Sequence, residues 1–395
     1  MPLPERFSCW AMTAPGAELL AGEELLRLGL TPGSSEPGGV EFEADAAGLC
    51  DALLWLRTAN RITVRLASFR AASFAELEKQ AKRVAWGDIV APGGAIHFRV
   101  TSKKSKLYHH DGIAERLERS VQGAVPNVTA IRAPSVAEEL EDHVAALPEV
   151  QRVVVRVFRD QVTLSADAAG PLLYLRGWRQ AVAKAPLRET LAATLLGASG
   201  WSDWVTPRGP LLDPFCGSGT IPIEAALIAR RIAPGSGRRF AAELWPGLAG
   251  GGEPLAAAWH AARARAGAQQ LPSSSVTITG YDRNAGAIAA AHANAERAGV
   301  SADVELSQQA LSHLPADRGE GWVVTNPPYG ARIGDRTALR DLYASLGRVL
   351  HERRPAWHLT MLSADRMLDA QLRLPTTDVL RTTNGGIPVR VVRTG

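Results

Sequence analysis

The chain has 395 residues, enough for two or three domains that each bury a hydrophobic core. Its composition, 46% hydrophobic and 21% charged with a net charge of +4, is typical of a globular protein, and its apolar runs are far shorter than a bilayer span. Cys9, Cys50 and Cys216 are too few and too scattered for a disulfide framework, and the N-terminus lacks a secretory pattern. We therefore expect a cytoplasmic protein.

Short strands and helices alternate through the first half of the sequence. The first elements are assigned to a ferredoxin-like unit, whose order is β-α-β-β-α-β, with one strand of that order not recognised: a strand at 7–12, a helix at 15–28, a Gly/Pro/Ser turn at 32–39, a strand at 40–43, a helix at 46–57 and a strand at 62–69. A second α+β group follows: a helix at 74–85, a strand at 95–101, a helix at 111–121, and strands at 153–158 and 161–165.

The second half follows the pattern of an α/β domain. Its elements are strands at 211–213, 276–281, 303–306, 321–325 and 357–362, helices at 221–231, 285–298 and 337–353, and a further helix after the last of these strands. Residues 234–275 form a low-complexity stretch rich in Gly, Ala and Pro. Asn384-Gly385-Gly386 predicts the turn of a terminal antiparallel hairpin. We divide the chain into domains at 1–70, 71–168 and 187–395, with a linker at 169–186.

A glycine-rich loop lies between the predicted strand at 211–213 and the helix after it, where residues 213–220 read Asp-Pro-Phe-Cys-Gly-Ser-Gly-Thr. Gly217 and Gly219 permit positive φ and close approach of a ligand to the backbone. The loop lacks the third glycine of a dinucleotide fingerprint and the Lys-Ser/Thr ending of a P-loop. Asp282 ends the next strand, where a carboxylate can accept both hydroxyls of a ribose. These features favour a nucleoside cofactor over a structural turn.

Residues 326–329 read Asn-Pro-Pro-Tyr and follow another predicted strand. The prolines fix φ and lack N–H groups, so the Asn326 side-chain oxygen and the Pro327 carbonyl can accept both hydrogens of a planar NH2 group. Tyr329 can stack on a base. Ligands of open α/β sheets bind beyond the carboxyl ends of the strands, so both motifs belong to one edge. The pair indicates methyl transfer to an amino nitrogen.

The two motifs resemble those of class I S-adenosylmethionine-dependent amino-group methyltransferases. The stretch 213–235 is similar to the THUMP-domain RNA methyltransferases that make N2-methylguanosine, and most of all to the bacterial 23S rRNA guanine-N2 group. The resemblance implies a Rossmann-like methyltransferase sheet at 187–395, preceded by ferredoxin-like and THUMP domains. It further implies a catalytic group and a cofactor-binding group. The catalytic group is Asn326, Pro327, Pro328 and Tyr329; the cofactor group is Pro186, Thr190, Asp213, Phe215, Cys216, Gly217, Ser218, Gly219, Thr220, Asp282, Arg283, Asn284 and Gln309.

One position departs from the pattern of many methyltransferases. Where an acid after the third strand would bind the adenine amino group, residues 307–310 read Ser-Gln-Gln-Ala. Gln308 or Gln309 can supply a side-chain carbonyl there instead.

Positive charge is concentrated in one part of the chain. Residues 57–132 carry an excess of eight positive charges between acidic flanks, and five of the six lysines lie between Lys79 and Lys106. A basic block of this kind favours nucleic acid as a partner, with a solvated basic surface as the alternative. The resemblance implies that the THUMP domain binds RNA here. The residues concerned are Arg99, Lys103, Lys104 and Lys106.

Alternatives to a 23S rRNA guanine-N2 methyltransferase remain open on the sequence. The substrate could be tRNA, or the same tetrad could serve a DNA adenine-N6 or protein glutamine methyltransferase. A catalytically idle RNA-binding assembly factor is a third reading, against which the intact motifs argue. No metal is expected, because His109 and His110 lack further ligands at zinc-like spacing. Nothing in the sequence indicates an obligate oligomer, so a monomer is favoured.

Overall fold

The computed structural model describes residues 6–131, 150–180, 187–246, 254–329 and 336–394. Two sheets organise these residues, one in each half of the chain. Among the helices of the described part, none is long and apolar enough to cross a membrane.

The N-terminal half forms an eight-stranded sheet in the order β2-β3-β1-β4-β8-β7-β5-β6. Helices cover its apolar face, where alternating strand residues meet the inward residues of each helix. The elements are β1 (Phe7–Thr13), α1 (Glu18–Arg27), β2 (Pro32–Glu36), β3 (Gly39–Ala44), α2 (Ala46–Trp55), β4 (Ala59–Arg70), α3 (Phe74–Ala81), β5 (Ala95–Lys103), α4 (His110–Ala124), β6 (Thr129–Ala130), β7 (Val150–Phe158) and β8 (Gln161–Asp167).

Strand β4 joins the two α+β groups into this one sheet. Its first half pairs antiparallel with β1, and residues from Thr63 to Arg70 pair antiparallel with β8. The predicted boundary at residue 70 falls at the end of this shared strand. The two groups therefore have separate helices and a common sheet.

One expectation for this half is wrong. Residues 32–36, predicted as part of a turn, form strand β2, which pairs with β3 at Pro32↔Phe42 and Ser35↔Val40. Its Pro-Gly-Ser-Ser-Glu sequence has low strand propensity, and the strand exists because an edge position and a hairpin partner override that propensity.

The C-terminal half forms a seven-stranded sheet in the order β11-β10-β9-β12-β13-β15-β14. Strands β9 to β13 are parallel, and β15 runs antiparallel beside β13, which confirms the predicted α/β sheet with a terminal hairpin. The elements are α5 (Glu189–Ser199), β9 (Leu211–Asp213), α6 (Thr220–Ala229), α7 (Pro254–Ala268), β10 (Ile278–Asp282), α8 (Ala285–Arg297), β11 (Glu305–Gln308), β12 (Gly321–Thr325), α9 (Arg336–Arg353), β13 (Trp357–Ser363), α10 (Arg366–Asp369), β14 (Thr376–Asn384) and β15 (Ile387–Thr394).

Helix α7 lies within residues 234–275, the low-complexity stretch to which the sequence analysis assigns no helix. Trp259, Ala262 and Ala266 recur at helical spacing and are buried in the hydrophobic core of the N-terminal half. Phe240 stacks on Trp259 with ring centroids 5.2 Å apart. This part of the catalytic half is therefore built into the core of the other half.

A buried ionic network also joins the halves. The Glu224 carboxylate of α6 lies 3.8 Å from the Arg57 guanidinium and 3.4 Å from that of Arg176. Arg57 donates to the Ile232 carbonyl at 2.7 Å, and Arg176 donates to the Arg57 carbonyl at the same distance. Breaking a buried pair by removing one partner costs about 3–5 kcal/mol, so this network strongly opposes separation of the halves.

Candidate active site

The two chemical motifs meet where the strand order of the C-terminal sheet reverses. Strands β9 and β12 are parallel neighbours, with Leu211 opposite Trp322 and Leu212 opposite Val323. The glycine loop leaves the carboxyl end of β9, and Asn326 follows β12 directly. Such a switch point opens a crevice between loops that diverge to opposite faces of a sheet. The shared edge expected from the sequence is therefore present.

A side-chain hydrogen bond connects the two motifs at their first residues. The Thr325 hydroxyl donates to Oδ1 of Asp213 at 2.5 Å, and the same oxygen accepts from the Phe215 backbone N–H at 3.1 Å. Asp213 is 1% exposed. Burial raises the pKa of its carboxyl to about 7, although the Thr325 hydrogen bond opposes this shift. The carboxyl thus holds the loop and the tetrad together.

The glycine loop adopts a backbone that only glycine accommodates easily. Gly217 has φ +54° and Gly219 has φ +85°. A Cβ on Gly219 would come within 3.0 Å of the Ala291 Cβ, so helix α8 packs directly against the loop. At Gly217 a Cβ would meet no described atom within 4 Å, so the backbone there faces open space.

The remaining loop residues are fixed by neighbouring elements. The Cys216 N–H donates to the Tyr281 carbonyl at 2.9 Å, and the Ser218 carbonyl accepts from the Asn294 side chain at 3.0 Å. Burial raises the pKa of the Cys216 thiol, which keeps it protonated and unreactive. Phe215 is half-buried, and Thr220 is the buried first residue of α6.

Asp282 lies at the end of β10 beside the loop. Its Oδ2 accepts the Gly217 N–H at 3.0 Å, and its Oδ1 accepts the Asn284 N–H at 2.9 Å. Each oxygen retains a lone pair for another donor. Asn284 also caps α8 by accepting from the Gly286 N–H at 2.8 Å, and Arg283 is exposed.

Gln308, the last residue of β11, and Gln309 lie near Asp282 through their backbone. The Gln309 N–H donates to the Asp282 carbonyl at 2.9 Å. Their side-chain amides point elsewhere: that of Gln308 donates to the Arg283 carbonyl and that of Gln309 to the His313 carbonyl. Within the described part of the chain, no donor contacts either amide oxygen.

Asn326 holds an unsatisfied acceptor. Its Oδ1 is buried and has no hydrogen-bond partner within the described part of the chain. A buried polar atom in this state costs about 1–3 kcal/mol, which a ligand N–H would offset. Pro327 is buried beside it, while Pro328 and Tyr329 are half-buried. The tetrad therefore presents the Asn326 Oδ1 as a hydrogen-bond acceptor for a ligand.

Tyr329 is held by the terminal hairpin. Its hydroxyl accepts from Nδ2 of Asn384 at 2.6 Å, and burial raises the pKa of the phenol. Sequence reasoning used Asn384 only as a turn signal and Thr325 only as the end of a strand. The alternation of β14 is the one signal that could have pointed Asn384 inward, since Leu380 and Thr382 share its face.

The segment before α5 is only partly described. Pro186 lies outside the described residues. Thr190 is buried, and its hydroxyl donates to Oδ1 of Asn60 in β4 at 2.8 Å, which ties α5 to the N-terminal sheet. Neighbouring Glu189 pairs with Arg179 at 3.0 Å, and burial raises the pKa of its carboxyl to about 7.

The basic residues predicted to contact RNA lie on the other sheet, near the end of β5. Lys103, Lys104 and Lys106 are exposed, whereas Arg99 is half-buried. The Lys106 N–H donates to the Asp160 carboxylate at 2.8 Å, which fixes the loop against the β7–β8 turn. Tyr108, 76% exposed, stands beside them. These residues belong to the N-terminal sheet, whereas the crevice belongs to the C-terminal sheet.

Sheet order, glycine loop and acidic strand end together define a class I methyltransferase, the class that uses S-adenosylmethionine. A family model described as the RMKL-like methyltransferase domain matches residues 176–393, and the RlmL ferredoxin-like domain matches residues 8–63. The chain therefore belongs to the RMKL-like methyltransferase family, with a ferredoxin-like unit at its N-terminus.

Similar proteins support this assignment over nearly the whole chain. YpsC of Bacillus subtilis, named as a candidate RNA methyltransferase, is 33% identical over 95% of this chain and 92% of its own length. Ribosomal RNA large subunit methyltransferase K/L of Syntrophotalea carbinolica is 34% identical over 96% of this chain. The match covers 52% of that enzyme, so this chain spans about half the length of the K/L relatives.

Two solved structures have the same architecture from end to end. SMU.472, a methyltransferase complexed with SAH, superposes with a TM-score of 0.84 at 27% identity, over 99% of this chain and 98% of that one. A protein from Listeria monocytogenes, described as a predicted N6-adenine-specific DNA methylase, gives a TM-score of 0.80 at 30% identity over 99% and 96%.

Proposed function

We propose that this protein transfers a methyl group from S-adenosylmethionine to the exocyclic N2 of a guanine in 23S ribosomal RNA. The observation that carries the proposal is the buried, unpartnered Oδ1 of Asn326 at the sheet edge that also bears the glycine loop. An acceptor that no donor of the described residues contacts suits an amino group that must be held while it reacts.

The crevice has the features that a nucleoside cofactor requires. The open backbone at Gly217 leaves room for the cofactor, and Asp282 has lone pairs for ribose hydroxyls. When bound, S-adenosylmethionine supplies a methyl group on a positively charged sulfur. Around these two residues, we assign the walls of the pocket to Pro186, Thr190, Phe215, Cys216, Ser218, Gly219, Thr220, Arg283, Asn284 and Gln309, with Asp213 fixing the loop from beneath.

The tetrad acts on the amine of the target base. The Asn326 oxygen and the Pro327 carbonyl accept its two hydrogens, which localises the nitrogen lone pair and directs it at the methyl donor. Tyr329 stacks on the base, a contact worth about 1–3 kcal/mol. Rate enhancement then comes from orientation and from dipoles that are already in place. The nitrogen attacks directly, and its proton leaves after transfer.

RNA is the proposed substrate class because YpsC and the K/L enzyme, which match 95% and 96% of this chain, carry RNA methyltransferase names. The exposed lysines after β5 supply cations for phosphates, and we propose that residues 71–168 form a THUMP domain that uses them. Large-subunit rRNA is preferred because the K/L relatives are named for it, and tRNA is the runner-up. A cytoplasmic location follows from this substrate.

DNA is the one competing substrate with a specific observation in its favour. The Listeria relative is described as an adenine-specific DNA methylase, and an Asn-Pro-Pro-Tyr tetrad can hold any planar NH2 group. The lysine surface does not separate the two, because both polymers carry phosphates.

The deciding experiment uses tritiated S-adenosylmethionine and the purified protein. Total RNA, DNA and protein from a strain that lacks the gene serve as substrates, and labelled RNA is mapped by mass spectrometry. We expect label in RNA alone, as N2-methylguanosine at one position of the large-subunit rRNA. Label in DNA alone refutes the RNA assignment. Label in tRNA instead of rRNA keeps RNA as the substrate class and makes tRNA the target.

A further inference from the structure

An arginine-lined cleft lies beside the active site at the end of β13. Its volume is about 350 Å³, and it lies between the Ser363–Ala364 turn and the hairpin of β14 and β15. Arg366, Arg381 and Arg390 contribute to its walls, and Thr382 forms part of its floor. None of these residues belongs to the glycine loop or to the tetrad.

The hairpin connects this cleft directly to the catalytic tetrad. Thr382 and Asn384 are two residues apart on β14, so both project from the same face of the hairpin. Asn384 donates to the Tyr329 hydroxyl, while Thr382 lines the cleft. Two strand residues span about 7 Å, which places the cleft within reach of the nucleotide next to a base stacked on Tyr329.

The charges around the cleft leave positive charge in excess. Asp378 faces all three guanidiniums, at 2.6 Å from Arg390, 2.8 Å from Arg366 and 3.5 Å from Arg381. Asp369, the second carboxylate, lies 2.5 Å from Arg390. Asp365, between Ala364 and Arg366, lies 3.7 Å from Arg336, so four cations and three anions surround the cleft.

The three arginines differ in burial and in how many carboxylates they contact. Arg390 has a side chain only 13% exposed, held between the two carboxylates. The side chains of Arg366 and Arg381 are 67% and 75% exposed. Each guanidinium has five N–H donors, so both retain donors beyond their contact with Asp378. Asp378 therefore orients two accessible arginines without saturating them.

Thr382 adds a second, independent feature. The residue is 6% exposed, and its hydroxyl has no partner within the described part of the chain. A ligand oxygen that reaches the floor of the cleft would satisfy this donor, as a phosphate oxygen can.

We propose that this cleft binds the backbone phosphate of the nucleotide that flanks the methylated base. Arginine forks match the two oxygens of a phosphodiester, which carries the single negative charge that the cleft lacks. An enzyme that takes a base out of a stack must also hold the strand beside it. This inference rests on the proposed RNA substrate and adds a subsite to it.

The test compares Arg366→Ala/Arg381→Ala with the wild-type protein on total RNA from a strain that lacks the gene. We expect KM for RNA to rise roughly tenfold with kcat changed less than about twofold, because the cleft anchors the strand outside the reacting atoms. The slope of log KM against log salt should fall by about 0.7 if one phosphate of a single strand is no longer neutralised. Arg366→Lys/Arg381→Lys should recover part of the KM and most of the slope.

The matched control is Arg208→Ala, an exposed arginine at the amino edge of the same sheet, which should leave both quantities unchanged. Affinity for S-adenosylmethionine, measured by calorimetry, should be equal in all variants and reports an intact fold. Unchanged KM and salt slope in the double alanine variant overturn the cleft assignment while the proposed function stands. Wild-type protein that labels DNA or protein but no RNA refutes both.

Discussion

The Thr325 hydroxyl donates to the Asp213 carboxylate at 2.5 Å, across the point where the strand order of the catalytic sheet reverses. Thr325 precedes the tetrad and Asp213 begins the glycine loop, so this one bond fixes the separation between the two halves of the site. Both residues are buried, which shields the bond from water. We therefore expect the geometry of the reaction to depend on this buried pair.

Replacing Thr325 with valine should uncouple the two motifs. The change keeps the shape of the side chain and removes the donor. Above about pH 7, where the Asp213 carboxyl is ionised, loss of the bond should lower the free energy of unfolding by about 1.5–3 kcal/mol, as expected for a hydrogen bond to a charged group. We also expect kcat to fall about tenfold, because small displacements of positioned groups slow transfer. Denaturant unfolding and single-turnover kinetics measure the two effects.

Thr325→Ser is the matched control, because it retains the hydroxyl and should keep kcat near the wild-type value. A valine variant as fast and as stable as the wild type would contradict the coupling role.

Asp213→Asn should change how stability depends on pH. Between about pH 3.9, the pKa of an unfolded aspartate, and the folded value of about 7, the folded protein binds more protons. Rising pH through this window therefore removes stability from the wild type. Asparagine keeps the acceptor for Thr325 without the charge, so the Tm of the variant relative to wild type should increase from about pH 5 to about pH 8. A constant difference across this range, by calorimetry, would exclude the raised pKa.

Asn326→Ala should abolish transfer while cofactor binding persists. The variant removes the buried oxygen that is proposed to hold the target amine, and loss of one preorganised polar group at a reacting centre costs on the order of 10²–10³-fold in kcat. Titration calorimetry should give an unchanged affinity for S-adenosylmethionine. Loss of cofactor binding in a folded variant would assign Asn326 to the cofactor instead of the base.

Asn384 and Tyr329 should behave as a pair. Tyr329→Phe and Asn384→Ala each remove one partner of the 2.6 Å hydrogen bond, so each should lower kcat/KM about fivefold, near 1 kcal/mol. The double variant should be no slower than either single variant, since the shared bond is removed only once. Purely additive effects in this cycle would show that the two residues act separately.

We expect Lys103, Lys104 and Lys106 to contribute to RNA affinity through phosphate contacts. Replacing all three with alanine should reduce the slope of log affinity against log salt by up to about 2, because each phosphate that a lysine neutralises contributes about 0.7. Lys79→Ala/Lys82→Ala is the matched control, because both lysines are exposed at the end of helix α3 in the same region. Filter binding measures the slopes, and equal slopes in the two variants would leave the loop without a role.

Much of this architecture could be predicted because local patterns and long-range packing agree. The strands at 211–213 and 321–325 have their predicted bounds, since buried parallel strands read as short apolar runs. Helix α7 was missed because its alanine-rich sequence carries few large apolar residues, and its buried face is defined by contact with the other half. Strand β2 was missed because its residues favour turns and only pairing with β3 makes them extended.

The site divides in the same way. Gly217, Gly219 and Asn326 could be found from the sequence because their chemistry requires those residue types in a short contiguous motif. Thr325 and Asn384 could not, because a hydroxyl or an amide becomes functional only when the fold brings a distant partner to it. The arginine-lined cleft likewise combines residues from three separate segments of the chain.

The buried contact of Arg57 with Glu224 has a consequence for how a target is chosen. Together with helix α7 this contact buries the joint between the halves, so we expect the lysines after β5 and Asn326 to move as one body. If the lysines bind RNA as proposed, only a nucleotide that the folding of the RNA places at the matching separation can reach Asn326. The shape of the RNA would then determine which nucleotide is methylated.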